Sequence, residues 1–117
     1  MITILQIGYD RLQLQTRALL LGRLGYRVIS AFGNGNAFTL ATTEQVDLVL
    51  IGHSAPAGIR ENAASHFKDH FPHIPVVALC SNSLQAALPY ADYNGSVDNA
   101  EEWLNTVAQA ALQSTHL

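Results

Sequence analysis

The sequence predicts an α/β fold: one domain, residues 1–117, with a parallel five-stranded sheet and helices on both faces. Three observations carry this. Apolar runs of strand length alternate along the chain with stretches whose apolar residues recur at helical spacing, and such alternation implies parallel strands joined by right-handed crossovers. The run Leu48-Val49-Leu50-Ile51 is unbroken by any polar residue. It is too short for a helix of normal length and too apolar for a strand with one wet face, so it reads as a central strand covered on both sides. Finally, a chain of 117 residues is large enough for a single core but not for two.

The elements follow in order. Thr3 to Ile7 is a buried first strand, ending at Gly8-Tyr9-Asp10. Asp10 is suited to cap the next helix, because its carboxylate can accept from an orphan amide of the first turn. Leu14, Ala18, Leu21 and Leu24 make that helix's apolar stripe, and Gly25 ends it as a left-handed residue. Tyr26 to Ala31 is the second strand, Phe32 to Asn36 a turn, and Ala37 to Glu44 a short second helix. After the third strand comes a loop from Ser54 to Gly58, then a helix from Ile59 to Phe71 with Ala63, Ala64, Phe67 and Phe71 inward, closed by Pro72 and Pro75. Val76 to Cys80 is the fourth strand and Ser83 to Leu88 a brief fourth helix. Tyr93 to Val97 is the fifth strand, although Asn94-Gly95-Ser96 carries little strand propensity. Asp98 and Asn99 open the last helix, each with a glutamate three residues on (Glu101, Glu102), the spacing of a capping box. Its stripe is Leu104, Val107, Ala108 and Ala111, and Ser114 to Leu117 is expected to fray.

Composition narrows the function classes. Only 13% of residues are charged, which leaves little to keep the whole surface polar and favours a partner-covered face. A net charge of −3, with six scattered Lys and Arg, argues against nucleic acid, whose phosphates call for a basic patch. A single cysteine, Cys80, excludes an internal disulfide and fits a reducing compartment. The N-terminus lacks a basic leader and no apolar run approaches a membrane span, so the expected location is the cytoplasm, without membrane contact.

The stretch Val46 to Pro56 resembles strand three of the response-regulator receiver domain, of the chemotaxis-regulator type, which reads Asp-Leu-Val-Leu-Leu-Asp-x-x-x-Pro. Leu24-Gly25-Tyr26-Arg27-Val28 resembles that family's Leu-Gly-Tyr-x-Val link into strand two. The run from His70 to Leu79 resembles its Phe-Pro-x-Ile-Pro-Val-Ile-x-Leu-Thr, and Asn99 to Leu104 its Pro-Glu-Glu-Leu helix opening. The motifs keep their order and spacing over nearly the whole chain. The resemblance implies a flavodoxin-like three-layer sandwich with five βα units and strand order 2-1-3-4-5.

It also implies where the family's chemistry should stand. The acidic pair that holds Mg²⁺ in receivers falls on Gly8 and Tyr9, and the phosphoacceptor on Gly52. The switch hydroxyl falls on Cys80 and the phosphoryl-contacting lysine on Ser96, with Val97 in place of a proline. Only the aromatic switch position, Tyr93, is retained. Asp10 alone cannot supply the several oxygens Mg²⁺ prefers. Clustered acids repel unless a cation offsets them, so once phosphorylation is lost nothing holds the set in place. The chain therefore reads as a degenerate pseudo-receiver of a two-component-type pathway: not an enzyme, without metal or cofactor. Its expected partner is another protein or a second copy, met through the face of helix four, strand five and helix five, with Tyr93 and Trp103 in the interface. The alternative is a phosphorelay receiver with another acceptor, such as Ser54, or a small-ligand sensor at the emptied pocket.

Other motifs weigh less. Gly52-His53-Ser54-Ala55-Pro56 resembles a nucleophile elbow, but its fifth residue is Pro and the hydrolase scaffold needs a longer chain. His66, His70 and His73 have near-helical spacing, yet no carboxylate or cysteine completes a tetrahedral metal set, so they read as solvent-side residues. Gly33-Asn34-Gly35 lacks the third glycine of a dinucleotide fingerprint and reads as a turn. Cys80 reads as a packed small hydrophobe. Trp103 lies beside the stripe of the last helix, as core edge or as interface anchor.

Overall fold

Thr3–Gly8 (β1), Arg27–Phe32 (β2), Leu48–Ile51 (β3), Val76–Cys80 (β4) and Tyr93–Ser96 (β5) form one parallel sheet in the computed structural model, which describes residues 1–81 and 85–114. The strand order is β2-β1-β3-β4-β5, as the resemblance implies. Four helices accompany it among the described residues: α1 (Arg11–Arg23), α2 (Asn34–Thr43), α3 (Ala57–His70) and α4 (Ala100–Ser114). The protein is a flavodoxin-like α/β sandwich.

Every residue of β1, β3 and β4 is buried, which is why their sequences show no polar alternation. Successive side chains of a strand point to opposite faces, so each strand feeds two cores. Leu5, Ile7, Val49, Ile51 and Ala78 face α2 and α3, where Ala37, Ala63, Ala64 and Phe67 meet them. Ile4, Leu48, Leu50, Val77 and Leu79 face α1 and α4, against Leu21, Trp103, Val107 and Ala110.

The helix ends follow local chemistry. Asp10 caps α1, its Oδ1 accepting from the Gln13 amide at 3.0 Å. Gly25, at φ +91°, closes the same helix with the paired bonds Gly25 N to Gly22 O and Tyr26 N to Leu21 O, a Schellman motif. At α4 the cap is Asn99, whose Oδ1 accepts from the Glu102 amide at 3.2 Å.

Several expectations are corrected. The α2 helix starts at Asn34 rather than Ala37, because Gly33 at φ +88° reverses the chain early and the expected turn becomes a first helical turn. The α3 helix starts at Ala57, directly after Pro56, a residue suited to the entry of a helix. The expected fourth helix, Ser83 to Leu88, begins outside the described residues, and its described part, Gln85 to Leu88, is not helical. Leu24 is exposed and Ala108 lies on the solvent side, so the buried stripes are Leu14–Arg17–Leu21 and Trp103–Val107–Ala110–Ala111.

Candidate functional site

Parallel strands carry their carboxyl ends to one edge of the sheet, the usual place for a site in this architecture. The register Ile7 with Ile51, Ile51 with Ala78 and Cys80 with Ser96 brings Gly8, Gly52, Cys80 and Ser96 to that edge, with Tyr9 just beyond β1.

At the positions to which the sequence resemblance assigns acids, Gly8, Tyr9 and Gly52, other groups fill the space. At Gly8, a Cβ would collide with the side chain of Leu14, which packs down from α1 onto the bare backbone. At Gly52, a Cβ would stand 2.8 Å from Nη2 of Arg17 and 3.1 Å from the Ile7 carbonyl. The glycines are therefore the space into which Leu14 and the Arg17 guanidinium fit. Tyr9 donates its hydroxyl to Asn34 Oδ1 at 2.7 Å, and Asn34 Nδ2 donates to the Ile59 carbonyl at 2.8 Å, tying the end of β1 to α2 and α3. Burial pushes the Tyr9 pKa up to about 12, with the Arg60 charge pulling the other way.

Two buried arginines approach Gly52 from opposite faces. Arg60, 1% exposed, donates from Nε to the Gly52 carbonyl at 2.9 Å and from Nη2 to the Leu79 carbonyl at 2.6 Å. Arg17, 6% exposed, donates from Nε to Gln6 Oε1 at 3.2 Å, while its Nη2 is buried without an acceptor. Gln6 is itself held by donating to the Leu14 carbonyl and to Ser30 Oγ, each at 2.8 Å. Burial lowers the Arg17 pKa, and Asp10 opposes that shift. Beside them, His53 Nδ1 is also buried without a partner. Burial lowers the His53 pKa first, and the charges of Arg17 and Arg60 lower it further, against Asp98 and Asp10.

This donor set does not fit Mg²⁺. Hard divalent ions take several oxygen ligands, whereas the edge presents two guanidinium groups, and Asp10, the acid next to β1, already caps α1. No cluster of three histidine, cysteine or acidic residues able to hold a metal occurs among the described residues.

The other expected positions are engaged in structure. Cys80 Sγ lies 3.8 Å from both the Ala86 carbonyl and Asn94 Oδ1, and the thiol is 8% exposed. Ser96 Oγ accepts from the Asp98 amide. Gly95, the residue that weakens β5 in sequence, lets α4 lie close: a Cβ there would be 3.4 Å from Trp103 Cβ. Tyr93 is half-buried and donates its hydroxyl to Gln113 Oε1 at 2.7 Å. Trp103 is 4% exposed and packs in the α1–α4 core, the core-edge place of its two expected ones. Ser54 is exposed and bonded to Gln13 Oε1 at 2.7 Å, not to His53, so no Ser–His relay exists at the elbow. His66 stacks between Phe38 and His70, at 3.7 and 4.2 Å between centroids, a ring stack rather than a ligand set.

Sequence reasoning passed over Gln6, Arg17 and Arg60. The signals were present. Gln6 interrupts an otherwise apolar strand, and Arg17 sits midway between Leu14 and Leu21 on the buried stripe. Arg60 precedes Ala63, Ala64 and Phe67 at the spacing i, i+3, i+4, i+7, which puts it on the inward face.

No family model matches the sequence, and no curated protein matches it. Solved structures do share the fold. The response regulator TrrA of Thermotoga maritima, in complex with Mg²⁺ and beryllofluoride, superposes with a TM-score of 0.82 at 16% identity, over 95% of this chain and 99% of that one. TrrA in complex with the histidine kinase ThkA gives 0.82 at 18% identity, over 94% and 98%. A CheY-like receiver domain from Methanospirillum hungatei gives 0.83 at 17% identity, over 97% and 96%. The chain has the receiver-domain fold of these response regulators.

Proposed function

We propose that this chain is a pseudo-receiver: a signalling module of a two-component-type pathway that works by docking a protein partner, without phosphorylation. The observation that carries the reading is the filling of the acid positions, with Leu14 over Gly8 and the Arg17 guanidinium over Gly52. A carboxylate and a divalent ion would have to displace both. A protein partner is supported by TrrA, which has the same fold and is recorded with a histidine kinase. The docking face we favour is the β5–α4 edge. There Tyr93 is fixed by Gln113, and Tyr90 is 62% exposed nearby in sequence. With no phosphoryl group to discriminate between rotamers, Tyr93 holds one conformation and the face is constant.

Two measurements test this. Mg²⁺ with beryllofluoride should leave the melting temperature unchanged, whereas a ligand at a hundredfold its Kd would add about 2.7 kcal/mol and shift it by several degrees. Tagged protein should co-purify with a partner from its own host, and Tyr93→Ala should weaken that association by about 1–2 kcal/mol with the fold intact. Ion-dependent stabilisation, or undiminished capture by Tyr93→Ala, would contradict the reading.

A further inference from the structure

We propose that the cleft between α1 and α4 binds a small aliphatic carboxylate, with its head group on Arg17 and His53. The cleft has a volume of about 350 Å³, walls that include Leu12, Leu20, Val97 and Trp103, and Arg17 and His53 in its lining. That volume lies at the small end of ligand pockets, roughly 300–1,000 Å³.

The polar end is incomplete in a specific way. Arg17 is 6% exposed and its Nη2 lacks an acceptor, and the neighbouring His53 Nδ1 lacks a partner as well. A guanidinium taken out of water is costly unless an anion or acceptors answer it. The two ion pairs among the described residues, Arg27–Glu44 and Lys68–Asp92, involve neither Arg17 nor Arg60. A carboxylate at this end of the cleft would face the Arg17 guanidinium and the ring of neutral His53, a charge-assisted contact that suits a planar anion. Two donors are too few for a phosphate, and the apolar walls suit an alkyl chain of about four to eight carbons. The Arg17 guanidinium in the lining disfavours a cation. The site does not rest on the docking face at Tyr93.

Trp103 is the sole tryptophan and lines the cleft, so its fluorescence reads occupancy directly. Butyrate, hexanoate and octanoate are titrated alongside hexanol, hexylamine and inorganic phosphate. A saturable change is expected with hexanoate or octanoate, at a Kd of about 1 mM or tighter. Hexanol, hexylamine and phosphate should bind at least tenfold more weakly. Arg17→Gln should lose at least tenfold in affinity. Because Arg17 also braces Gln6, Ala100→Leu, at an exposed cleft-lining position, provides a second variant that should block binding while circular dichroism stays unchanged. No saturable change with the carboxylates would overturn the proposal. Equal response to hexanol or to phosphate, or full binding by folded Ala100→Leu, would do the same.

Discussion

Arg17 and Arg60 reach the same strand ends from opposite faces of the sheet, and they finish differently. On the α3 face, the guanidinium of Arg60 meets two converging carbonyl oxygens, those of Gly52 and Leu79. On the α1 face, Arg17 has one bond, to a glutamine, and a buried nitrogen with nothing to donate to. The residue type and the depth are the same, so the difference lies in the acceptors. Where strand-end carbonyls converge, a buried cation is a structural clasp. Where they do not, it is an unfilled requirement, and a ligand is one way to meet it.

The largest effect expected from this contrast is on Arg60. Arg60→Met should lower stability by about 3–5 kcal/mol in urea unfolding, since charged hydrogen bonds are worth about 1.5–3 each and two carbonyls would be left bare. A loss below about 1 kcal/mol would mean that those carbonyls find other donors. Next comes Gly8→Ala, which must displace Leu14 from the floor of the site. It should cost about 1–3 kcal/mol as an overpacked core. Neutrality would show that Leu14 does not need the glycine. Smaller still is Arg17→Met, expected within about 1 kcal/mol of the native chain, because a half-satisfied buried charge is often replaced by an apolar side chain without loss. If Arg17→Met proved as damaging as Arg60→Met, the two arginines would not differ as described.

The smallest effect is a pH dependence. The folded His53 has a pKa below its ordinary 6.5, so the folded chain binds that proton less readily than the unfolded chain. Its contribution to stability is therefore complete above about pH 6.5 and is lost as the pH falls below it. His66 is shifted in the same direction, by burial and by His70. Melting temperatures between pH 7.5 and 5.5 should fall less steeply in His53→Gln than in the native chain, and identical slopes would remove His53 from the linkage.

The sheet was legible because its central strands are buried on both faces and so write unbroken apolar runs, as Leu48 to Ile51 does. The caps Asp10 and Asn99 and the closing Gly25 were legible for local reasons, since each acts within a few residues of itself. The start of α2 was not, because Asn34-Gly35-Asn36 has the composition of a turn and only Gly33's backbone conformation commits it to a helix. Trp103 was ambiguous because a stripe-edge aromatic is resolved only by what packs on it, here β5 across Gly95. At the site, the glycines at positions 8 and 52 were readable in the sequence. What packs over them was not, because Leu14 and Arg17 are local neighbours on α1 whose reach over Gly8 and Gly52 is a tertiary fact.

The proposal that this chain works without phosphorylation is tested most directly by incubating the native protein with a phosphoramidate donor and Mg²⁺ and reading its intact mass. An unchanged mass is expected, with Gly52→Asp also unmodified, since the restored carboxylate would lie against Arg17 and still lack the Mg²⁺ ligands and the lysine. Stoichiometric gain of one phosphoryl group by the native chain, on Ser54 or any other residue, would contradict the account.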